Sequence, residues 1–393
     1  MTPDFLLLHS SSQMIVELQH LIALLHHAKC PKLKPTSVLI GTHPPEFMPG
    51  VQQDSSEYLG HLLNMLHEHE AIMGWEWPNV STITLSDPMI PLDLVIPYSD
   101  EMSITNKSFA GKLSTLYKCL KCRHESRNSN SFRELQLSFP QGKITRRTKF
   151  TVQALLDLYC ASEPLDGDNQ YACICCAKLC NGERSMKITG APRNIILTIK
   201  QFNYDRQTHE RTKVLYKVIH DDMITLNLCD GASLQQTYTV HYSLYAAIVH
   251  NGYTLDSGHY FDLAKDEMNN WFKFNDSKVV RSKPEDIKKL RSPNTAHFLL
   301  YQLSGRVCMA PQEGVPIIMP VSAVAPLELE ELPPELRDFV KRNIEKLDRT
   351  RDNRTTTEGL YMQFLRSIIY LLSADGLYIY IVYTRCLDVH RIN

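Results

Sequence analysis

Two short segments, Gly258-His259-Tyr260 and Asn275-Asp276, contain the residue types of a general base and of the group that orients it. A histidine can take the proton of a thiol, and an amide or carboxylate can hold its ring in the useful tautomer. Each segment alone also fits a structural role, because buried histidines and polar turns are common in folded proteins. Together they predict a general base, His259, with Asn275 or its neighbour Asp276 as the orienting group.

A second chemical pattern consists of two Cys-x-x-Cys pairs, Cys119 with Cys122 and Cys173 with Cys176. Each pair offers two thiolates from one tight turn, and four thiolates complete a tetrahedral zinc site without an open position for water. We therefore expect one structural zinc ion, with a sub-domain inserted between the pairs because their separation exceeds that of a zinc ribbon. Two alternatives stay open: Cys175 replaces Cys176 as a ligand, or the cysteines are reduced core residues.

A third polar segment, Gln53-Asp54, stands at the start of a predicted amphipathic helix. The apolar stripe of that helix contains Tyr58, Leu59, Leu62, Leu63 and Leu66. Asp54, with Glu57 three residues later, resembles a capping box that satisfies the first backbone N–H groups of a helix. A carboxylate beside glutamines can also bind a basic peptide, so both a capping role and a binding role are open.

Composition and charge exclude several classes of protein. A formal net charge of −1 over 393 residues gives no global reason to expect a nucleic-acid partner. The eleven cysteines cluster instead of spreading as a disulfide framework would, and no signal peptide is evident, so we expect an intracellular location, cytoplasmic, nuclear or both. The most apolar run, Ser367 to Tyr383, is split by Asp375-Gly376 into halves too short to span a bilayer, so no membrane association is expected.

Apolar periodicity predicts an α+β chain. Helical spacing predicts helices within residues 1–30, from about residue 55, and over 152–159. Short β-type runs, including 90–96 and 132–139, precede a strongly β region with predicted strands at 194–202, 238–249, 259–263, 271–274 and 296–303. We expect these last strands to form an antiparallel sheet in which His259 opens one strand and Asn275 closes the next. A proline-rich linker, a charged helix at 334–348 and a tail without an interpretable motif follow.

Taken in order, these segments resemble the ubiquitin-specific protease family of cysteine deubiquitinases, which belongs to the papain-like superfamily. The matching blocks are QQDSSEYL, the two Cys-x-x-Cys pairs, APRNIILTIKQF, HNGYTLDSGHYFDL and WFKFNDSKVV. They cover roughly residues 13–303, and five blocks in the family's order are far more specific than any one of them. One departure is Gln201, which stands where the family usually has an arginine.

The resemblance implies a hand-like α+β fold over residues 1–303. Thumb helices would occupy residues 1–76, β fingers with the zinc knuckles approximately 77–191, and an antiparallel β palm approximately 192–303. Residues 304–393 would form a linker, a charged helix and a C-terminal tail of unknown role.

The resemblance also implies ubiquitin and ubiquitinated proteins as partners. Ubiquitin would lie between fingers and palm, with its C-terminal tail in a cleft between thumb and palm. His259 would be the general base and Asn275 its orienting partner, while Asp54 would face basic residues of the ubiquitin tail. The residues that contact ubiquitin would be Gln53, Asp54, Gly258 and Tyr260.

The nucleophile block of this family, Gly-Asn-Thr-Cys-Tyr, does not occur in the sequence. The first residues, Met1 to Phe5, match the point at which related sequences leave the first thumb helix. Cys30 has no Gly-Asn context and is not expected to replace the nucleophile. We therefore expect a thumb truncated at its N-terminus and a polypeptide that is inactive as written.

Three functions fit these observations. In the first, the chain comes from an active deubiquitinase whose nucleophile-bearing N-terminal region is absent from this sequence. In the second, it is a non-catalytic relative that binds ubiquitin as a scaffold or competitor. The third, a zinc-ribbon nucleic-acid binder, rests only on the cysteine pairs, and the neutral charge and the large β region count against it.

Overall fold

The computed structural model describes residues 16–24, 27, 44, 46–47, 55–72, 103–140, 148–204, 211–254, 258–266, 269–275, 278–308 and 328–349. The helices in these ranges are α1 (residues 16–24), α2 (Ser55–Ile72), α3 (Ile104–Phe109), α4 (Val152–Cys160), α5 (Pro284–Lys288) and α6 (Pro334–Arg349). None of these described helices is long and apolar enough to cross a membrane. The predicted β run at 90–96 and the tail from 359 lie outside the described residues.

Strands dominate the described chain. Before the palm region they are β1 (Gly111–Cys119), β2 (Glu125–Phe132), β3 (Glu134–Leu137), β4 (Lys149–Thr151), β5 (Glu163–Leu165), β6 (Tyr171–Cys173), β7 (Lys178–Cys180) and β8 (Gly182–Gly190). The remaining strands are β9 (Asn194–Ile199), β10 (Phe202–Tyr204), β11 (Arg211–Lys213), β12 (Lys217–Ile219), β13 (Met223–Cys229), β14 (Gln236–Asn251), β15 (His259–Lys265), β16 (Trp271–Asn275), β17 (Lys278–Arg281) and β18 (Asn294–Cys308). The result is the α+β architecture that the sequence predicted.

Twelve strands form one large sheet in the order β17-β16-β15-β14-β13-β8-β1-β2, with β18, β9, β3 and β5 attached to it. Most pairs are antiparallel, as predicted, but β3 pairs with β9 and β8 touches β13 in the parallel direction. The predicted strand 194–202 is two strands. β9 ends at Ile199 and β10 begins at Phe202. Between them, the Lys200 N–H donates to the Leu137 carbonyl, and the Gln201 carbonyl accepts from the Val214 N–H.

Both faces of the large sheet carry buried apolar residues. Alternate residues of a strand point to opposite faces, so one strand contributes side chains to two separate clusters. In β18, Phe298 and Leu300 join one buried cluster, whereas Leu299 and Tyr301 join another. The first cluster, which we call the α1–α2 cluster, includes Leu18, Ile22, Tyr58, Leu62 and Leu66. The second, the α4 cluster, includes Val152, Leu155 and Leu156 together with the opposite face of the sheet.

The predicted charged helix at 334–348 is α6, and it packs on the α1–α2 cluster. Leu336 and Val340 are buried there, and the Phe339 ring stacks on the His20 ring at a centroid distance of 3.6 Å. The domain boundary predicted at residue 303 falls inside β18, which continues to Cys308. Residues beyond that boundary thus contribute to the core around α1 and α2.

His220 generates a testable pH dependence. It is 3% exposed, its Nδ1–H donates to the Ile287 carbonyl at 3.2 Å, and burial lowers its pKa from 6.5 to about 4. His220 therefore gains a proton near pH 6.5 in the unfolded chain, but only near pH 4 in the folded chain. We expect the free energy of unfolding to fall as pH drops through this window, by up to roughly 3 kcal/mol from this group.

The measurement is urea unfolding at several pH values between 7.5 and 4, which brackets the interval set by the pKa of His220. His220→Gln keeps an N–H donor for the Ile287 carbonyl but does not titrate. Its stability should depend less steeply on pH than that of the unmodified chain. Equal slopes for the two proteins would contradict the assignment.

Candidate functional site

The hairpin of β15 and β16 positions the predicted acid–base pair. As predicted, His259 begins the first strand and Asn275 ends the second. Asp262 lies opposite Phe274, so extending this antiparallel register by one residue places Asn275 opposite Phe261. Residues two apart on a strand point to the same side. His259 and Asn275 therefore share one face at the open end of the hairpin.

A hydrogen bond joins the two side chains: His259 Nε2 lies 2.5 Å from Asn275 Oδ1. An amide oxygen only accepts, so the proton of the neutral ring is on Nε2 and the lone pair is on Nδ1. The arrangement leaves Nδ1 as the basic nitrogen. An orienting acceptor on one nitrogen and a base on the other is the geometry that a general base of a cysteine hydrolase requires.

Gly258 lies against a second histidine. A Cβ atom at this position would be 2.2 Å from His250 Nε2 and 2.8 Å from the Asn251 carbonyl oxygen, so no larger residue fits without displacement. On the other side of His259, the Tyr260 ring lies 4.7 Å from the His250 ring, measured between centroids. Both neighbours of His259 thus contact the same imidazole.

Sequence reasoning missed Lys213 and His250. The Lys213 ammonium lies 2.9 Å from His250 Nδ1, and burial lowers the pKa of this lysine to about 8. Burial, with the charges of Lys213 and His297, lowers the pKa of His250 to about 4, so its ring is neutral at pH 7. His250 opens the block HNGYTLDSGHYFDL without a role assigned to it there, and Lys213 lies outside the named blocks. The two residues belong to different sheets, β14 in the large sheet and β11 in the two-stranded sheet with β10, so neither a local motif nor strand pairing predicts their contact.

Three predicted site residues lie outside the described residues: Gln53, Asp54 and Asp276. The helix expected after Asp54 is present, because α2 begins at Ser55. All five residues of its predicted apolar stripe are buried, namely Tyr58, Leu59, Leu62, Leu63 and Leu66.

The isolated cysteines that the structure describes have no character of a nucleophile. Burial raises the pKa of Cys160 to about 11, and burial also raises the pKa of Cys229. A catalytic thiol requires the opposite shift, towards the thiolate. Cys30 lies outside the described residues.

The four predicted metal ligands are brought together. The sulfur atoms of Cys119, Cys122, Cys173 and Cys176 all lie within 4.8 Å of one another, with Cys122 Sγ 3.5 Å from Cys173 Sγ. Four thiolates at about 2.3 Å from one zinc ion would have sulfur separations in this range. This cluster can hold a metal ion.

The local backbone favours the thiolate of Cys119, whereas hydrogen bonds among the four sulfurs, together with burial, raise the pKa of Cys122 and Cys176. Arg123 and Ala177, which follow the second cysteine of each pair, have positive φ angles of 65° and 51° and close tight turns. In the first turn, hydrogen bonds from the backbone, that of Cys122 first, lower the pKa of Cys119 to about 6. Backbone N–H groups aimed at a sulfur favour its charged form. Cys175 is exposed and is not among the four clustered sulfurs.

Comparisons with known proteins agree on one family. A family model described as ubiquitin carboxyl-terminal hydrolase matches residues 6–301. Ubiquitin carboxyl-terminal hydrolase 48 of Danio rerio is 26% identical over 268 residues, which are 67% of this chain and 22% of that protein. Ubiquitin carboxyl-terminal hydrolase 13 of Saccharomyces cerevisiae is 28% identical over 256 residues, which are 64% of this chain and 32% of that protein. The chain thus spans a third or less of the length of these relatives.

Solved structures show the same fold. One of them is the structure of the SAGA Ubp8/Sgf11/Sus1/Sgf73 DUB module bound to ubiquitin aldehyde, matched with a TM-score of 0.50 and 20% sequence identity. The match covers 68% of this chain and 53% of that chain. At this identity the likeness concerns the fold alone.

Gly258→Ala tests the contact between the turn and His250. The new methyl group would overlap the His250 ring and the Asn251 carbonyl, so we expect destabilisation of roughly 1–3 kcal/mol. Urea unfolding measures this change.

The matched control is Gly60→Ala in α2, where a Cβ would meet nothing within 4 Å. That substitution should stabilise the chain by roughly 0.4–1 kcal/mol, because alanine favours the helix and restricts the unfolded chain. A Gly258→Ala protein as stable as the control would show that the turn is not packed as described.

Proposed function

Because the chain belongs to the ubiquitin carboxyl-terminal hydrolase family, we propose that it serves thiol-dependent hydrolysis of the isopeptide bond after the C-terminal glycine of ubiquitin. This function rests above all on the hydrogen bond from His259 Nε2 to Asn275 Oδ1. It orients the imidazole so that Nδ1 can act as the base.

In the proposed reaction, His259 Nδ1 takes the proton of a cysteine thiol, and the thiolate attacks the carbonyl carbon of the isopeptide bond. As the C–N bond breaks, the imidazolium gives its proton to the departing lysine amine, which leaves ubiquitin joined to the cysteine as a thioester. Nδ1 then takes a proton from water, the hydroxide attacks the thioester carbonyl, and the cysteine leaves as the thiol with that proton. Asn275 stays neutral and keeps the ring in one orientation throughout, with Asp276 as a further polar candidate beside it.

The 393 residues contain no Gly-Asn-Thr-Cys-Tyr block. Loss of the nucleophile of a triad lowers turnover by roughly a millionfold in a serine hydrolase. We therefore propose that this polypeptide binds ubiquitin without cleaving it, and that the active enzyme carries its nucleophile in a region outside this sequence. The second candidate, a non-catalytic ubiquitin-binding scaffold, is favoured by the same missing block.

The proposed ubiquitin site combines two segments of the chain, one just before α2 and one at the start of β15. Asp54, beside Gln53 at the start of α2, would face basic residues of the ubiquitin tail, and Gly258 and Tyr260 would line the tail beside the base. Binding of ubiquitin is supported by the similarity in fold to a deubiquitinase module bound to ubiquitin aldehyde.

We assign the cysteine cluster to one structural zinc ion held by Cys119, Cys122, Cys173 and Cys176. Four protein thiolates fill a tetrahedral shell, so the ion would cross-link two turns and activate no water. The described cysteines are free thiols, which supports an intracellular, reducing compartment, cytoplasmic or nuclear.

Ubiquitin binding tests the proposed function directly. We expect the chain to bind mono-ubiquitin in calorimetry and to release no fluorophore from ubiquitin–aminomethylcoumarin. Asp54→Asn removes the charge but keeps a side chain that caps helices equally well. It should weaken binding about tenfold or more, since a hydrogen bond between charged groups is lost, while leaving the melting temperature unchanged.

Glu68→Gln, at an exposed position of α2, removes the same single charge and is the matched control; it should leave binding intact. A folded chain that binds no ubiquitin would refute the proposed function. Binding that Asp54→Asn leaves unaltered would exclude Asp54 from the binding site and leave it the helix cap alone. Cleavage by a longer natural product with the Cys block, lost in His259→Ala, would exclude the scaffold.

Metal analysis tests the zinc assignment. The purified chain should contain about one zinc ion, and Cys119→Ser or Cys176→Ser should lose it and melt at a lower temperature, because the cross-link between the turns is broken. The measurement is mass-spectrometric metal content with a thermal melt.

Cys175→Ser is the control, one residue from a ligand but outside the cluster, and should retain the metal. A metal-free chain that is stably folded would contradict the assignment. Loss of zinc in Cys175→Ser but not in Cys176→Ser would exchange the roles of these neighbours.

A further inference from the structure

The geometry points to Lys213 as a positioning residue for His259, acting through the imidazole of His250. This inference rests on the proposed role of His259 as the base, and Lys213 itself contacts neither the base nor its partner Asn275 in the described hydrogen bonds.

Lys213 ties three separate segments together. Its Nζ lies 2.9 Å from His250 Nδ1 at the end of β14, 2.7 Å from the Gly252 carbonyl oxygen in the following turn, and 3.4 Å from the Pro293 carbonyl oxygen before β18. An ammonium group has three N–H donors, and each finds one acceptor here. The lysine thus holds the end of β14, the residue that follows it and the segment before β18 against one another.

The His250 ring connects Lys213 to the two residues that flank His259. Because Nδ1 accepts from Lys213, the ring proton is on Nε2, the atom nearest to the space beside Gly258. The Tyr260 ring packs on the same imidazole, and Asn251 lies opposite His259 in the β14–β15 register. A rotation of the His250 ring would therefore disturb both residues that flank the base.

The charges around His250 show that its contact with Lys213 is a hydrogen bond from an ammonium group to a neutral imidazole, and not an ion pair. The charged neighbours that act on the imidazole are Lys213 and His297, and both lower its pKa, as burial does. Tyr260 faces the ring without a charge. Burial lowers the pKa of Lys213, and the three acceptors around its ammonium group are all neutral. A partly buried cation without a counter-ion contributes little to the stability of the fold. The contribution of Lys213 is therefore to orient its three acceptors.

The test is the exchange of the His259 Nε2 proton with solvent, followed by NMR on the full chain with ¹⁵N-labelled histidine. The resonance is assigned by its loss in His259→Gln. In Lys213→Met we expect this proton to exchange about tenfold faster or more, as for the loss of roughly one hydrogen bond of local stability. Lys213→Arg, which keeps a cation and several donors, should restore slower exchange.

Lys217→Met is the matched control, since Lys217 is an exposed lysine at the start of β12. It should leave the His259 signal unchanged. If Lys213→Met does not fold, Lys213→Gln, which keeps an uncharged donor, decides the question. Unchanged exchange at His259 in a folded variant whose His250 signals have moved would overturn the inference.

Calorimetry with ubiquitin on the same samples keeps the two proposals apart. Faster exchange in Lys213→Met without any ubiquitin binding by the unmodified chain would refute the proposed function and leave the restraint on His259 standing. Intact ubiquitin binding with unchanged exchange would refute only the role of Lys213.

Discussion

The register of the β15–β16 hairpin is the constraint on which the site depends. Slipping an antiparallel pair by one residue would send every side chain to the opposite face, and His259 would lose Asn275. Core packing prevents this slip. Tyr260 and Phe274 pack against the α1–α2 cluster on one face, whereas Phe261 and Trp271 belong to the α4 cluster on the other. The burial of apolar residues on both faces therefore also determines the geometry of the polar pair.

The metal-ligand cluster depends on a different set of contacts. Its two turns belong to separate hairpins, β1 with β2 and β6 with β7. The rings of Tyr117 and Tyr171 stack at 5.6 Å, and the Tyr171 hydroxyl lies 3.0 Å from Ser126 Oγ, so protein contacts already bring the hairpins together. A metal ion would strengthen a juxtaposition that side-chain packing has begun.

Helix α6 shows why a charged helix need not be a solvent-exposed appendage. Its sequence is rich in charged residues, yet Leu336 and Val340 fall on one face and are buried among residues of α1 and α2. Arg337, Asp338 and Lys341 occupy other positions around the helix and are not in that cluster. An apolar stripe of this width is enough to dock a helix on a larger core. Helix α6 therefore belongs to the packed structure.

Local features of this protein were determined by the sequence itself. Runs of β-forming residues separated by turn residues predicted β14, β15, β16 and β18. Residue types in short motifs indicated His259 with Asn275 or Asp276 and the two Cys-x-x-Cys pairs, because strands, turns and short motifs depend on neighbouring residues. Tertiary structure alone decided the contact of Lys213 with His250, the break between β9 and β10 and the docking of α6. These depend on residues far apart in the chain. Which of them meet is set by the pairing of strands and the packing of both sheet faces, and no local pattern contains that information.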